Sequence, residues 1–336
     1  MRRILSTAAL LAAFLISASC GVTRLPAGGT LGGRLHCTAP EFLKPSDKVA
    51  IIAPAYYTPM ENVTGAAGVL QSWGYEPVVG ANVGKKVAGQ YAGTVEERAA
   101  DLRWALEDPE IKAIICTRGG YGTIHLIDHF KAEDFSRHPK WLVGYSDITT
   151  LLEMENCSGV MGIHGTMGNT IAKGVEDTTC LTLKNLLAGK VPQYNLPAHQ
   201  QNRYGQATGV LVGGNICTFV PNLDTWADAT SRDGIILFIE EVGEAMHNID
   251  RLFNMLRMRG VLERCNGIIL GQFTGCDSEF DYGSVEAMLN TYLKDYNIPV
   301  LCGFPAGHDD PNLPLIMGAP VTIKVTPEGS EIRFNL

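Results

Sequence analysis

A serine follows an apolar run in the stretch KWLVGYSDITTLL, residues 140–152, and a helical pattern begins directly after it. Gly144 suits a sharp strand-to-helix turn, and such a turn projects the hydroxyl of Ser146 as a nucleophile. The backbone N–H groups that follow could then stabilise an oxyanion. The usual turn of this kind has a second glycine where this chain has Ile148. The alternative is that Ser146 or Asp147 only caps the next helix, and the turn alone leaves both interpretations open.

A serine nucleophile needs a base, usually histidine, and a carboxylate that orients the imidazole. His164 ends a strand pattern near the serine, whereas His308 follows Gly307 in a late loop. Glu240 ends the apolar pattern GIILFIE, where a charge is costly to bury without a partner. The chain order Ser146, Glu240, His308 matches the order in one class of hydrolases. Eight histidines compete for the role of base: His36, His125, His129, His138, His164, His199, His247 and His308.

The glycine-rich stretch RGGYG, residues 118–122, is the other candidate for chemistry. Its backbone N–H groups could hold a phosphate or approach an oxyanion. It lacks the Walker lysine and does not match GxGxxG, so a nucleotide site is disfavoured. Arg118 either binds a carboxylate or braces this loop. The nine cysteines show no CxxC pair and no Cys/His spacing for a metal, so we expect neither a metal nor another cofactor.

Length and composition indicate a folded protein that has room for two domains. The 336 residues are 46% hydrophobic and 18% charged, which is ordinary globular composition. The net charge is −8 and no basic run stands out, so nucleic acid is disfavoured as a partner.

The N-terminus predicts export. Residues 1–19 combine Arg2 and Arg3 with an apolar stretch and a small-residue exit, as in a signal peptide. Cys20 follows directly and predicts lipid attachment, with plain secretion as the alternative. Residues 20–46 include a glycine-rich, patternless segment typical of a flexible tether. We therefore expect a periplasmic or cell-envelope protein, anchored to a membrane through a lipid on Cys20.

The rest of the chain alternates strand and helix patterns. Residues 47–188 predict an α/β domain with a parallel sheet that carries the serine. Thr94 and Glu97 form a capping-box pattern at the start of one of its helices. Residues 189–206 are polar and contain prolines, which favours a linker. Residues 207–336 predict a second domain of mixed α and β structure that closes with antiparallel strands.

Several motifs occur in an order that resembles the serine-type LD-carboxypeptidases, a family that includes murein tetrapeptide carboxypeptidases and microcin-C immunity peptidases. These motifs are RGGYG, GYSDITTLL, GVLVGGN, IEEVGEAMHNIDRL, GIILGQF and the late GH. The resemblance runs from about Lys48 to the C-terminus. It implies a Rossmann-like, parallel-sheet N-terminal domain, a smaller mixed β-rich C-terminal domain, and a homodimer.

The resemblance also implies the roles of individual residues. Ser146 corresponds to the nucleophile, Glu240 to the charge-relay carboxylate and His308 to the base. The oxyanion hole corresponds to the backbone N–H groups of Asp147 and Gly120.

The implied reaction is metal-free hydrolysis of an L,D-amide bond, which releases the terminal D-Ala of a murein tetrapeptide. Arg118, or N–H groups at the start of a helix, would bind the free carboxylate of the substrate. Many members act in the cytoplasm on recycled muropeptides, whereas this chain carries an export signal. Two alternatives are a catalytically silent, lipid-anchored peptide-binding protein and an immunity-type peptidase or amidase that acts on peptide–nucleotide toxins.

Overall fold

A computed structural model describes residues 33–174, 177–276 and 280–336. The predicted signal peptide, Cys20 and residues 21–32 of the predicted tether lie outside the described residues. Within the described ranges, no helix is both long enough and apolar enough to cross a bilayer.

The strands and helices of the described residues are numbered in chain order. The strands are Lys48–Ile52 (β1), Glu76–Val79 (β2), Ile111–Cys116 (β3), Trp141–Gly144 (β4), Gly162–His164 (β5), Gln193–Pro197 (β6), Gly205–Asn215 (β7), Ile235–Val242 (β8), Cys265–Thr274 (β9), Val300–Cys302 (β10), Leu315–Met317 (β11), Pro320–Thr326 (β12) and Gly329–Phe334 (β13). The α-helices are Met60–Ser72 (α1), Val95–Glu107 (α2), Ala132–Ser136 (α3), Thr149–Cys157 (α4), Gly168–Ile171 (α5), Thr178–Leu187 (α6), Ile216–Phe219 (α7), Met246–Met258 (α8), Val261–Arg264 (α9) and Val285–Leu293 (α10).

The first sheet has the strand order β11-β5-β4-β3-β1-β2. Strands β1 to β5 pair in parallel, and β11 joins β5 antiparallel. All four residues of β4 are buried, as expected for a parallel sheet covered on both faces. The capping box at Thr94 is present, with the Thr94 hydroxyl accepting from the Glu97 N–H at 3.2 Å. The predicted parallel α/β sheet is confirmed.

The second sheet has the strand order β10-β9-β8-β7-β12-β13-β6. Strands β7 to β10 pair in parallel, whereas β12, β13 and β6 pair antiparallel. This mixed sheet and the antiparallel strands near the C-terminus agree with the predicted fold class.

One segment outside the predicted strand and helix patterns also contains a strand. The segment 189–206, predicted as a linker, contains β6, which pairs with β13 at the edge of the second sheet. Pro197 favours a loop in the sequence pattern, but proline is tolerated on an edge strand. Directly after the RGGYG loop, residues Thr123–His129 form a 3₁₀ helix.

Helix α4 connects the serine turn to the second sheet. Residues 149–156 of this helix are all buried, and it packs on both β5 and β7. The Thr149 hydroxyl accepts a hydrogen bond from the Asn215 N–H at 3.2 Å, at the end of β7. The turn that carries Ser146 therefore rests on a buried helix held by both sheets.

Candidate active site

Ser146 lies on a strained turn directly after β4. Its φ of +61° is in the left-handed region, which costs a non-glycine residue about 1–2 kcal/mol. The N-cap position of the short 3₁₀ helix Ser146–Ile148 is held by Tyr145, and that of α4 by Ile148, and neither residue makes a side-chain capping hydrogen bond. The capping interpretation therefore does not describe Ser146, and the strained geometry is that of a projected nucleophile.

Two glycines allow the turn to pack closely. A Cβ at Gly144 would lie 2.7 Å from Cγ2 of Ile148, so the isoleucine fills the space above the glycine. A Cβ at Gly119 would lie 3.1 Å from the Ser146 hydroxyl oxygen. The RGGYG loop therefore lies directly against the serine, and Gly119 is a contact that the sequence did not single out.

The two predicted oxyanion donors lie beside Ser146. Gly120 and Asp147 both line a cleft of about 440 Å³ that also contains Ser146. Within the described part of the chain, neither backbone N–H has a hydrogen-bond acceptor. The Asp147 carboxylate instead accepts from the Thr123 N–H at 3.0 Å, and burial raises the pKa of Asp147. The structure thus leaves both N–H groups available to an oxyanion.

Gly120 is required by a close approach. Its φ is +122°, and a Cβ there would lie 2.3 Å from the ring of Tyr56. Because the Tyr56 ring is packed against the loop, a side chain at position 120 would displace one of the predicted donors.

Glu240 and His308 form a hydrogen-bonded pair. Nδ1 of His308 lies 2.8 Å from Oε2 of Glu240, whose side chain is fully buried. Burial raises the pKa of Glu240, and its hydrogen bond to His308 opposes that rise. The neighbouring Glu241 turns the other way and accepts from Nδ2 of Asn215 and the N–H of Cys217, each at 2.9 Å.

Ser146 and His308 line the same cleft, which has a volume of about 480 Å³. No hydrogen bond joins these two described side chains. The Tyr145 ring packs against the His308 ring with centroids 5.1 Å apart. In unliganded enzymes the nucleophile–base hydrogen bond is often long and shortens only with substrate bound. The structure thus brings Ser146, Glu240 and His308 to one site, although they are far apart in sequence.

His164, the rival base, lies beneath the site instead. It is fully buried, and both of its ring nitrogens lack a hydrogen-bond partner among the described residues. Its ring packs edge-on against Phe238 with centroids 5.0 Å apart. Burial, with a smaller contribution from the charge of His308, lowers the pKa of His164 to about 3. His164 is therefore a neutral packing residue outside the clefts around Ser146.

Arg118 lines the same cleft as His308. Its guanidinium lies over the Tyr56 ring, 5.8 Å from the centroid, and it forms no ion pair with another described residue. The charge of Arg118 is therefore available to an anionic group in this cleft.

Cys217 is the thiol that lines the cleft beside Ser146. Burial raises its pKa, and the negative charge of Glu241 raises it further. Since the thiolate is the nucleophilic form, Cys217 is an unreactive neighbour. The eight cysteines of the described ranges are free, and no group of metal-ligating side chains was found among those ranges.

Comparison with known proteins gives matches along most of the chain. The models of the LD-carboxypeptidase N-terminal and C-terminal domains (Peptidase S66) match residues 49–165 and 208–323. A Bacillus subtilis (strain 168) protein named "Probable murein peptide carboxypeptidase" is 32% identical, covering 88% of this chain and 95% of that protein.

Two solved structures share the fold. One is muramoyltetrapeptide carboxypeptidase from Oxalobacter formigenes, with a TM-score of 0.77 and 24% identity over 86% of this chain and 99% of that one. The other is the microcin C7 self-immunity protein in complex with glutamyl sulfamoyl guanosine, with a TM-score of 0.77 and 24% identity over 89% and 98% of the two chains. On the two domain matches and the Bacillus relative, this chain belongs to the LD-carboxypeptidase family of serine-type peptidases.

Proposed function

We propose that this protein is a serine carboxypeptidase that removes the terminal D-Ala from murein tetrapeptides by cleaving an L,D-amide bond. The observation that carries the proposal is the 2.8 Å pair of Glu240 and His308 at the cleft that holds Ser146 on its strained turn. The proposed reactants are thus a hydroxyl, an imidazole and a carboxylate in one site.

The reaction proceeds through an acyl-enzyme. Oγ of Ser146 attacks the carbonyl of the L-centre while Nε2 of His308 takes the hydroxyl proton, because Nδ1 is held by Glu240. The N–H groups of Gly120 and Asp147 stabilise the oxyanion, each by about 3–4 kcal/mol. The tetrahedral intermediate expels D-Ala as its amine takes the proton from His308. Water, activated by the same imidazole, then releases the shortened peptide and restores the serine.

The two clefts hold opposite sides of the bond that breaks. His308 must protonate the leaving amine, so the departing D-Ala occupies the cleft that His308 lines. Arg118 lines that cleft as well, and it is placed to bind the free carboxylate that an exopeptidase must recognise. The acyl side of the substrate occupies the neighbouring cleft, which is lined by Asn215 and Glu241.

Arg118→Ala should raise KM for the tetrapeptide about 10–100-fold, because a charge-assisted hydrogen bond contributes about 1.5–3 kcal/mol. The check is a steady-state comparison of the free-acid substrate with its C-terminal amide. For wild-type enzyme, KM should be higher for the amide than for the free acid by a similar factor. For Arg118→Ala, KM should differ little between the amide and the free acid. If the variant discriminates between acid and amide as strongly as wild type, Arg118 does not bind the carboxylate.

The acyl-side cleft favours murein over an acidic aminoacyl toxin. None of the described residues that line it is lysine or arginine, and it contains the buried carboxylate of Glu241. A negatively charged side chain, such as that of the glutamyl ligand bound to the microcin C7 self-immunity protein, would be repelled there. A neutral or cationic third residue, such as diaminopimelate or lysine, meets no such repulsion.

Mass spectrometry of products tests the proposal and its alternatives. Purified mature protein is incubated with disaccharide-tetrapeptide, with the D,D-linked pentapeptide, and with a processed peptide–nucleotide conjugate. Loss of one D-Ala from the tetrapeptide alone supports the proposed reaction. Tight binding of the tetrapeptide without turnover would identify the silent binding protein, and cleavage of the conjugate alone would identify the immunity-type peptidase.

We also propose export, a lipid anchor on Cys20 and a homodimer. Export and the anchor rest on the N-terminal sequence, and the dimer rests on the family resemblance. In cells, Cys20→Ala should move the protein from the membrane to the soluble envelope fraction; unchanged partitioning would rule out the anchor. Light scattering of the mature protein tests the dimer.

A further inference from the structure

The loop that carries His308 crosses from one sheet to the other. It joins β10 of the second sheet to β11 of the first. Glu240 lies on β8 of the second sheet, whereas Ser146 follows β4 of the first. The path of this loop therefore determines whether the imidazole of His308 can lie close to both the Glu240 carboxylate and the Ser146 hydroxyl.

Gln272, on β9, holds this loop on both sides of His308. Its backbone N–H donates to the Ala306 carbonyl at 3.0 Å. Its side-chain Oε1 accepts from the Asp309 N–H at 2.9 Å, and its Nε2 donates to the Pro311 carbonyl at 3.1 Å. Both ends of the carboxamide are thus used by the main chain that follows His308.

The loop is also pressed directly between Gln272 and the carboxylate. A Cβ at Gly307 would lie 2.9 Å from Cβ of Gln272 and 3.1 Å from Oε2 of Glu240. At its far end the loop enters β11, where Leu315 pairs with His164, and His164 pairs in turn with Gly144. The loop is therefore fixed to the serine side by strand pairing and to the carboxylate side by Gln272.

We infer that Gln272 is a positioning residue, whose carboxamide holds the loop so that Nδ1 of His308 faces Glu240 and Nε2 faces Ser146. It acts through His308 and does not touch the reacting bond. The inference rests on the proposed roles of Ser146, Glu240 and His308. A misplacement of about 1 Å at a catalytic group can cost about 100-fold in rate.

Gln272→Met keeps the side-chain volume and the backbone hydrogen bond to Ala306 but removes both carboxamide bonds. We expect kcat for D-Ala release to fall about 10–100-fold while KM stays within about twofold. The rate of inactivation by a fluorophosphonate, which requires an activated serine, should fall by a similar factor. Gln272→Glu keeps the acceptor for the Asp309 N–H, so it should retain more activity than Gln272→Met, with KM again unchanged.

Thr274→Val is the matched control, because it removes only the hydroxyl that donates to the Asp309 carboxylate at 2.8 Å. It should keep wild-type kcat. Wild-type kcat in Gln272→Met, or a kcat loss of equal size in Thr274→Val, would overturn the inference. If Gln272→Met fails to fold, Gln272→Glu decides, because it loses the bond from Nε2 to the Pro311 carbonyl. A kcat below that of wild type with unchanged KM then supports the inference, and a kcat equal to that of wild type overturns it. Ser146→Ala is measured in parallel. If Ser146→Ala stays active, the proposed triad is wrong. If Ser146→Ala is inactive while the Gln272 variants keep wild-type kcat, only the positioning role of Gln272 is rejected.

Discussion

Ser146→Ala should lower kcat for D-Ala release by about 10⁶-fold, close to the rate without a covalent intermediate. The variant removes the hydroxyl that attacks the substrate amide in the proposed mechanism, so no acyl-enzyme can form. A water molecule would then have to attack the intact amide without being held at the turn as Oγ is. Binding should survive, because Arg118 and the backbone N–H groups of Gly120 and Asp147 are unchanged. Mass spectrometry measures the turnover, and isothermal titration with the intact tetrapeptide measures the binding.

Ser146→Gly is the informative companion. It is equally inactive, but glycine adopts the φ of +61° at position 146 without strain. It should therefore have a higher Tm than Ser146→Ala, by about the few degrees that 1 kcal/mol produces in a chain of this size. Residual turnover within tenfold of wild type in both variants would show that another group performs the attack.

Most of the fold could be predicted because its signals are local. Alternating apolar runs and helical patterns predict a parallel sheet whatever the tertiary arrangement. Strand β6 escaped prediction because an edge strand needs few apolar residues and tolerates Pro197, so its sequence resembles a loop. The pairing of β11 with β5 was equally invisible, since the two strands lie about 150 residues apart in the printed sequence.

The candidate site could be predicted only in part from the residues. From the sequence, Ser146 could be either a nucleophile or a helix cap, and both His164 and His308 were candidates for the base. The choice depends on burial: His164 is enclosed by β4, β11 and Phe238, whereas His308 reaches the cleft. Only tertiary structure distinguishes these two environments.

Gln272 is the clearest example of a residue whose role cannot be predicted from the sequence. Its motif, GIILGQF, was one of those on which the family resemblance rested, but a glutamine near the end of an apolar strand has no distinctive chemistry by itself. Its importance comes from three hydrogen bonds to a loop more than thirty residues later in the printed sequence. Residues that position a catalytic group are therefore harder to find from sequence than the group itself.

Glu240→Gln should lower kcat by about 10³–10⁴-fold while leaving the shape of the site intact. The neutral amide cannot support the positive charge that His308 acquires in the transition state. It can also turn its NH₂ group toward Nδ1, and this fixes the imidazole tautomer that cannot accept the Ser146 proton. Steady-state kinetics on the tetrapeptide measure the loss. Glu240→Asp, which keeps the charge but shortens the reach, should retain more activity than the amide.

The same substitution should stabilise the protein at neutral and alkaline pH. Burial raises the folded-state pKa of Glu240 above its ordinary value of 4.5, so the folded state binds this proton more tightly than the unfolded state does. Protonated Glu240 therefore favours the folded state of the wild type below about pH 4.5, and this contribution to the free energy of unfolding is lost as pH rises through the folded-state pKa. Gln carries no charge at any pH, so the Tm advantage of Glu240→Gln should be absent near pH 4 and develop as pH rises toward 8. A thermal-melt series over that range measures the difference. If the variant is less stable than wild type at pH 8, the bond to His308 contributes more to stability than burying the charge costs. Glu240 would then stabilise the fold. It would not be a charge that is maintained for catalysis at the expense of stability.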